Sequence, residues 1–517
     1  MRNRLAFVAI AAAAIAARLP FLLRADRFFD ADEAVEGLMA RHVLAGEHPL
    51  FLWGQRYKGV PEIYLGAAAF RAAGSSVLVL KAVTLACFIV FLWLHFRLLE
   101  RVVSRAVAWI ATAFFIAGPP SLVLWSMSGS AEIVMTLLVG AVLLLAIDWW
   151  EESLSGRAMF AAAFALGVGL WIQQFILYYV VSLAVTAAIV TPDWRAMVSE
   201  LFRTRVPMWA RAIVAALAVA ALLYLVLGLI AFFTGGLQAS VFGARITATH
   251  PQKMWWVASG LTAALVAFVV VCIFRGALLG PALAFFAGYL PALIGRIGNR
   301  GMGSPISRLD ASALRTALPD ITHAMLPILF GWRDPATRAT VLPALALILV
   351  LIAAVSYWQA WRRRVTPFFH IFPLVAAVMF FVSGSYIDAQ SYRYLMPMYA
   401  ALPAVYAIGV MGVWRVSRVA GALVLVSALA IFAAQQLLWY RALAPDLESQ
   451  QAITCLDAAR VRFARAGYWQ SYKLTFLTGE RIIVSPVDGM DRYRPYSEQT
   501  RDAPLLESIV STSRRCW

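Results

Sequence analysis

Charge is what this chain has least of. Charged residues fill 14% of its 517 positions, where a soluble protein of that length carries about a quarter. With 62% hydrophobic residues and a mean hydropathy of +0.77, a water-soluble globular enzyme is excluded. Cysteine is nearly absent too. The four that exist show no CxxC or metal-type spacing, which leaves no cysteine-based metal centre. Internal repeats, Gly/Ser linkers and low-complexity runs other than alanine-rich helices are also missing, and the lack of an inverted repeat counts against a secondary transporter. Acidic residues are the scarcer sign, 27 against 44 basic, for a formal net charge of +17.

What the chain has instead is apolar runs of membrane-spanning length from end to end, which define an all-α polytopic membrane protein. A β-barrel is excluded, because its strands would alternate rather than run continuously apolar. The basic residues fall in short loops between those runs, a signature of topology and anionic headgroups rather than of nucleic-acid binding. Spans are expected near 5–23, 78–99, 105–123, 131–149, 157–171, 174–191, 209–232, 255–274, 277–294, 340–360, 366–383, 394–413 and 419–439, about thirteen helices. The split at Ile172-Gln173-Gln174 rests on a very short polar break. The first run could pass for a signal peptide, but it continues through Leu19 to Leu23, which favours a retained helix. Arg18 within it is expected to face the bundle interior.

Charge bias orients the bundle. With the N-terminus cytoplasmic, the clusters Arg97-Arg101-Arg105, Arg195-Arg203-Arg205-Arg211, Arg362-Arg363-Arg364 and Arg415-Arg418 all fall on the cytoplasmic side. The opposite side then receives the loop 24–77, the Gly118–Glu132 loop, loops at 233–254 and 295–339, and the tail. The expected division is a transmembrane domain over 1–440 and a small C-terminal α/β appendage over 441–517. In that tail Asp446 to Gly467 has helical spacing and Ile482-Ile483-Val484 reads as a short buried strand. Asp488, Asp491, Arg492 and Arg494 read as solvated, although the tail could also cover a site. Cys87 and Cys272 are packing residues. Cys455 and Cys516 share an oxidising compartment and are predicted to form a disulfide.

The chemistry concentrates in Phe28 to Glu62, FFDADEAVEGLMARHVLAGEHPLFLWGQRYKGVPE. Asp30, Asp32 and Glu33 precede a helical stretch from Ala34, and Glu36 lies one turn beyond Glu33. Asp30 or Asp32 could cap that helix. The Asp-Ala-Asp pair could hold a divalent ion such as Mg or Mn, or serve metal-free base catalysis. His42 and His48 read as loop or interface residues. Arg56 and Lys58 follow, then Glu62. Glu132 and Arg393, in Gln390-Ser391-Tyr392-Arg393-Tyr394-Leu395-Met396-Pro397, fall on the same outer side. Acids would activate a nucleophile, and cations would neutralise a lipid phosphate. Trp53, Tyr57 and Tyr64 would stack on a sugar or form an interfacial belt.

The Arg-Leu-Pro end of the first helix resembles the GT-C glycosyltransferases. So do the outer loop with Asp-Glu opening a helix, the Gly-x-x-Pro segment and the late Arg-Tyr-Leu-x-Pro. The nearest layout is that of the protein O-mannosyltransferases and lipid A aminoarabinose transferases. The motif matches lie in roughly the first eighty residues and the late segment. The resemblance implies an inverting transferase of the bacterial inner membrane that takes a sugar from a polyprenyl-phosphate donor and passes it to a lipid, glycan or protein acceptor on the extracytoplasmic face. It places Asp32 as the catalytic carboxylate, Glu33 beside it with Asp30 as rival, and Arg393 near the donor phosphate. Arg56, Lys58, Tyr57, Glu62 and Glu132 complete the substrate set. One departure is Lys58-Gly59-Val60-Pro61-Glu62 where aminoarabinose transferases carry Glu-Lys-Pro, which argues against aminoarabinose transfer. A flippase of lipid-linked sugars would place its charges near the midplane. A non-catalytic envelope assembly protein would use the tail as its interaction module.

Overall fold

A computed structural model describes residues 2–129, 132–191, 193–241, 244–274, 278–296, 310–333, 343–363 and 367–512. The apolar runs are helices. In chain order these begin with α1 (Arg2–Leu22), α2 (Ala31–Leu44), α3 (Pro61–Ala73), α4 (Val77–Val102), α5 (Arg105–Ile116), α6 (Pro120–Trp125), α7 (Ile133–Ser153), α8 (Gly156–Ile172) and α9 (Ile176–Val190). Further long helices follow at Met208–Thr234, Pro251–Phe274 and Arg418–Ala442. Among the described residues, six helices are long and apolar enough to cross a membrane, or seven if the bent pair Ala389–Ala400 and Leu402–Val416 is one span. The other apolar runs are shorter helices of 10–17 residues.

Two expected spans are broken, and proline explains both. The run at 105–123 stops at Ile116 and restarts at Pro120, because Pro119 has no amide hydrogen to continue the ladder. The run at 394–413 is a 3₁₀ helix and an α-helix set 56° apart, with Pro397 and Pro403 about the joint. That bend carries Arg393 out of line with the span below it.

Arg18 does face inward. It is wholly buried and donates to the Phe115 carbonyl at 2.9 Å, to Ile116 O and to Ser126 Oγ at 3.2 Å. Those carbonyls end α5, where no intrahelical partner exists, so the one cation in the first span serves as a cap for its neighbour.

The loop 24–77 is ordered rather than irregular. Helix α2 leads into a hairpin of β1 (Phe51–Leu52) and β2 (Gln55–Gly59), turned at Gly54 with φ 67°, and then into α3. The C-terminal segment departs from expectation in its first half. Its helix ends at Ala458 and Arg460 takes a left-handed backbone, φ 55°. Residues Phe463–Ala466 then pair in parallel with Ile483–Pro486, the strand anticipated at Ile482 to Val484. Leu456, Ala464, Leu474 and Val484 form the centre of its own small core. The expected Cys455–Cys516 disulfide lies outside the described residues.

A second core joins that segment to the loop. Phe29, Leu38, Met39 and Phe70 pack with Tyr468, Tyr472, Phe476 and Tyr496. Helix α2 lies against the helix Tyr468–Leu477, and Gly37 allows the close approach: a Cβ there would run into the Phe476 ring. Gly37→Ala should favour α2 by about 1 kcal/mol and lose roughly 1–3 kcal/mol to overpacking. The expected net effect is faster hydrogen exchange across 468–477 with α4 and α7 unchanged.

Candidate active site

The three clustered acids diverge because they lead a helix. Asp30 is the cap of α2, its carboxylate accepting from the Glu33 amide at 2.9 Å. Burial, then the nearby charges of Glu33 and Asp32, push its pKa up to about 7. Glu33 turns into the core and makes a buried ion pair with Lys81 of α4, both carboxylate oxygens at 2.7 Å from Nζ. Asp32 alone of the three turns into a cavity.

That cavity measures about 220 Å³. Asp32 shares it with Gln55, Tyr57 and Lys58 of β2, with Gln173 and Gln174 from the break between α8 and α9, and with Arg393. Tyr468, Trp469, Met490 and Arg492 close it from the C-terminal segment. Beside it runs a smaller apolar groove walled by Phe175, Tyr178, Trp256, Met379 and Val382, and the two share Gln174, Phe175 and Ser385.

Three cations face one carboxylate here, and their circumstances differ. Lys58 Nζ is 3.2 Å from Glu132 Oε2. Burial opposes its charge, but Glu132, Tyr57 and Asp32 more than offset that, and its pKa rises. Arg492 reaches to 3.7 Å from Asp32 Oδ1. Arg393 lies near the Tyr394 ring and 3.3 Å from its hydroxyl; among the described residues no carboxylate pairs with it, and its Nε is buried without a partner.

The remaining candidates sit behind the cavity rather than on it. Glu36, Glu62 and Glu132 form a buried acidic set in which burial raises every pKa, that of Glu132 to about 7 and that of Glu36 well above its ordinary value. A side chain at Gly129 would collide with the carboxylates of Glu36 and Glu62. Glu62 accepts from Thr84, and Glu132 holds a left-handed backbone, φ 49°, a conformation that costs a non-glycine residue about 1 kcal/mol or more. Arg56 of β2 does not line the cavity. The residues do not fit a divalent ion: the Asp30 carboxylate is spent on the helix end, Asp32 sits among cations, and among the described residues no three His, Cys, Asp or Glu converge as metal ligands.

Sequence reasoning missed Lys81, Tyr468 and Arg492. Arg492, read as solvated, is largely buried against Tyr468. Trp53 is taken up by Tyr493, stacked at 3.9 Å, and Tyr64 donates to the Pro49 carbonyl, so of the three aromatics only Tyr57 reaches the cavity. His42 is an interface residue as expected. Its Nδ1 is 2.7 Å from Glu47, and its Nε2 is 3.1 Å from both Glu480 and the Tyr496 hydroxyl of the C-terminal segment.

No protein-family model matches the chain, and no curated protein matches it by sequence. Solved structures do match. The Archaeoglobus fulgidus oligosaccharyltransferase, in complex with Zn and sulfate, is similar over 92% of this chain at 15% identity and a TM-score of 0.50. This chain covers 62% of that protein's length. ArnT from Cupriavidus metallidurans, bound to undecaprenyl phosphate, is similar over 98% of this chain and 90% of its own, at 12% identity and a TM-score of 0.51. The likeness is one of fold: this chain shares its overall architecture with these two solved structures.

Two outcomes test the electrostatics. Lys81→Met strands a buried carboxylate and should cost roughly 3–5 kcal/mol, read as a lowered melting temperature in detergent, with Glu33→Gln on the same background recovering most of it. His42 gives a pH dependence. Burial opposes its charge, but Glu480 and Glu47 raise its pKa above the ordinary value. Arg41 adds a nearby positive charge on the Glu480 side. A raised histidine contributes stability in full below its unfolded pKa of about 6.5, and that stability is lost as pH climbs through the folded value. The protection factor over 468–477, which divides out the base-catalysed intrinsic exchange rate, should fall from neutral to alkaline pH, and His42→Phe should flatten that fall.

Proposed function

We propose that this protein is an integral-membrane glycosyltransferase that moves a sugar from a polyprenyl-phosphate-linked donor to an acceptor on the extracytoplasmic face, with inversion at the anomeric carbon. The observation that carries this reading is the pairing inside one cavity of Asp32 with Arg393, a half-buried cation that has no carboxylate partner among the described residues, beside an apolar groove suited to a lipid tail. A buried guanidinium nitrogen with an unused donor calls for an anion. The groove places apolar surface where the first isoprene units would follow that anion. The likeness in fold to a protein bound to undecaprenyl phosphate supports the same donor class.

The chemistry divides between the walls. The acceptor hydroxyl or amine gives its proton to Asp32 as its lone pair attacks C1 of the sugar. The bond from C1 to the phosphate oxygen breaks on the opposite face, and polyprenyl phosphate leaves with its charge met by Arg393 and Lys58. Of the two cations, Arg393 carries more of this work, because Glu132 already engages Lys58. We place about thirteen helices across the bacterial inner membrane, the N-terminus in the cytoplasm, and the segment from about 441 as an extracytoplasmic domain beside the cavity. The basic clusters on one side support that orientation.

Asp32→Asn should lower transfer by about 10²–10⁴-fold while polyprenyl phosphate still binds, as measured with purified protein in detergent. Arg393→Gln should instead weaken polyprenyl phosphate binding by roughly 10- to 100-fold, the worth of one charged hydrogen bond. Full glycan transfer by a well-folded Asp32→Asn protein would remove Asp32 from the reaction.

A further inference from the structure

We propose that Tyr468, held by Arg492, is the positioning residue for Asp32: its hydroxyl occupies one carboxylate oxygen and leaves the other to take the acceptor's proton. The proposal rests on the transferase reading above and adds to it a residue from the far end of the chain.

The geometry is a closed triangle. The Tyr468 hydroxyl donates to Asp32 Oδ1, Arg492 Nε donates to the same hydroxyl at 3.3 Å, and Arg492 Nη2 lies 3.7 Å from Asp32 Oδ1. Two groups thus converge on one carboxylate oxygen, and no hydrogen bond among the described residues falls on the other. Burial, then the charge of Asp32, keeps the phenol protonated, so it acts as donor throughout the neutral range. A phenol and a guanidinium on one oxygen stop the carboxylate from rotating and leave the second oxygen facing the cavity.

The triangle is built, not incidental. Tyr468 and Tyr472 lie one turn apart on the helix Tyr468–Leu477 and so share a face. The amide of Tyr468 donates to Asp488 at 2.9 Å, which fixes the start of that helix. The Tyr472 hydroxyl accepts from the amides of Arg492 at 2.7 Å and Tyr493 at 3.0 Å, which fixes the loop that carries the guanidinium. Gly54 admits Arg492 from the other side, since a Cβ there would meet its side chain at 2.9 Å. Two tyrosines with different duties explain why the segment spends buried hydroxyls so close to the site.

Tyr468→Phe keeps the ring in its core and removes only the hydroxyl. The expected result is a fall in kcat of roughly 10- to 100-fold with an unchanged KM for the lipid donor. A merely structural tyrosine would change stability and leave kcat per folded molecule in place. A second readout needs no turnover. Labelling of Asp32 by a water-soluble carbodiimide at mildly acidic pH, followed by peptide mass spectrometry, should rise severalfold in Tyr468→Phe and in Arg492→Gln. Labelling equal to that of the parent protein would overturn the positioning role whether or not transfer is detected. Raised labelling in the two variants, with a parent protein that transfers no sugar, would keep the triangle and refute the transferase reading.

Discussion

The buried ion pair between Lys81 and Glu33 sets the direction of everything around it. Residues of an α-helix are rotated about 100° from one to the next, so locking Glu33 onto α4 also decides where Asp32 points. With Glu33 held at 2.7 Å by a lysine in a spanning helix, Asp32 cannot swing inward without burying a second carboxylate. Asp30, one residue before the helix, has its oxygen committed to the Glu33 amide. The pair and the cap together turn three adjacent acids into one structural anchor, one helix cap and one group that faces the cavity. Such a pair adds little net stability over an apolar substitute. Its value lies in the register it imposes.

The same economy governs the positive charges. Lys58 and Arg393 line one cavity, yet Lys58 leans on Glu132 and through it on an acidic set that burial keeps reluctant to ionise. Two further carboxylates, Glu36 and Glu62, stand in that set, so the lysine's charge has a resident counterweight. Arg393 has none among the described residues. An anion in this cavity would therefore meet no carboxylate at Arg393, whereas at Lys58 it would compete with one already in place. This difference between two cations of equal formal charge comes from their neighbours, and composition alone does not reveal it.

Sequence patterning carried the bundle far. Apolar runs marked the helices, Arg18 announced an inward cation, and the Gln173-Gln174 interruption marked a real break whose amides line the site. The loop was legible as the centre of chemistry because so many charges had no other reason to stand between two apolar runs. The choice among Asp30, Asp32 and Glu33 was not legible from composition, since either Asp30 or Asp32 could cap α2 and only tertiary partners separate the three. Arg56 and Lys58 looked alike, two apart on one strand, until tertiary structure put Lys58 against Glu132 at the cavity and left Arg56 off it. Tyr468 and Arg492 were hidden for a plainer reason: they meet Asp32 across more than four hundred residues, and no local pattern in a polar tail encodes such a meeting.

That long reach has an energetic basis. The core that the C-terminal segment keeps to itself is small, and cores of that size rarely hold a fold unaided. Its larger contribution is to the shared core, where Tyr468, Tyr472 and Phe476 pack on Phe29, Leu38 and Phe70. The segment and the loop are thus stabilised by the same contacts that bring Tyr468 to Asp32. The cations that face the lipid side are held differently, Lys58 on the loop's own hairpin and Arg393 at the bend of a late helix pair. Loosening the shared core would strip Asp32 of its tyrosine and Arg492 while leaving Arg393 where it stands. Damage to the tail should therefore disturb Asp32 before it disturbs Arg393, because the two halves of the site depend on different packing.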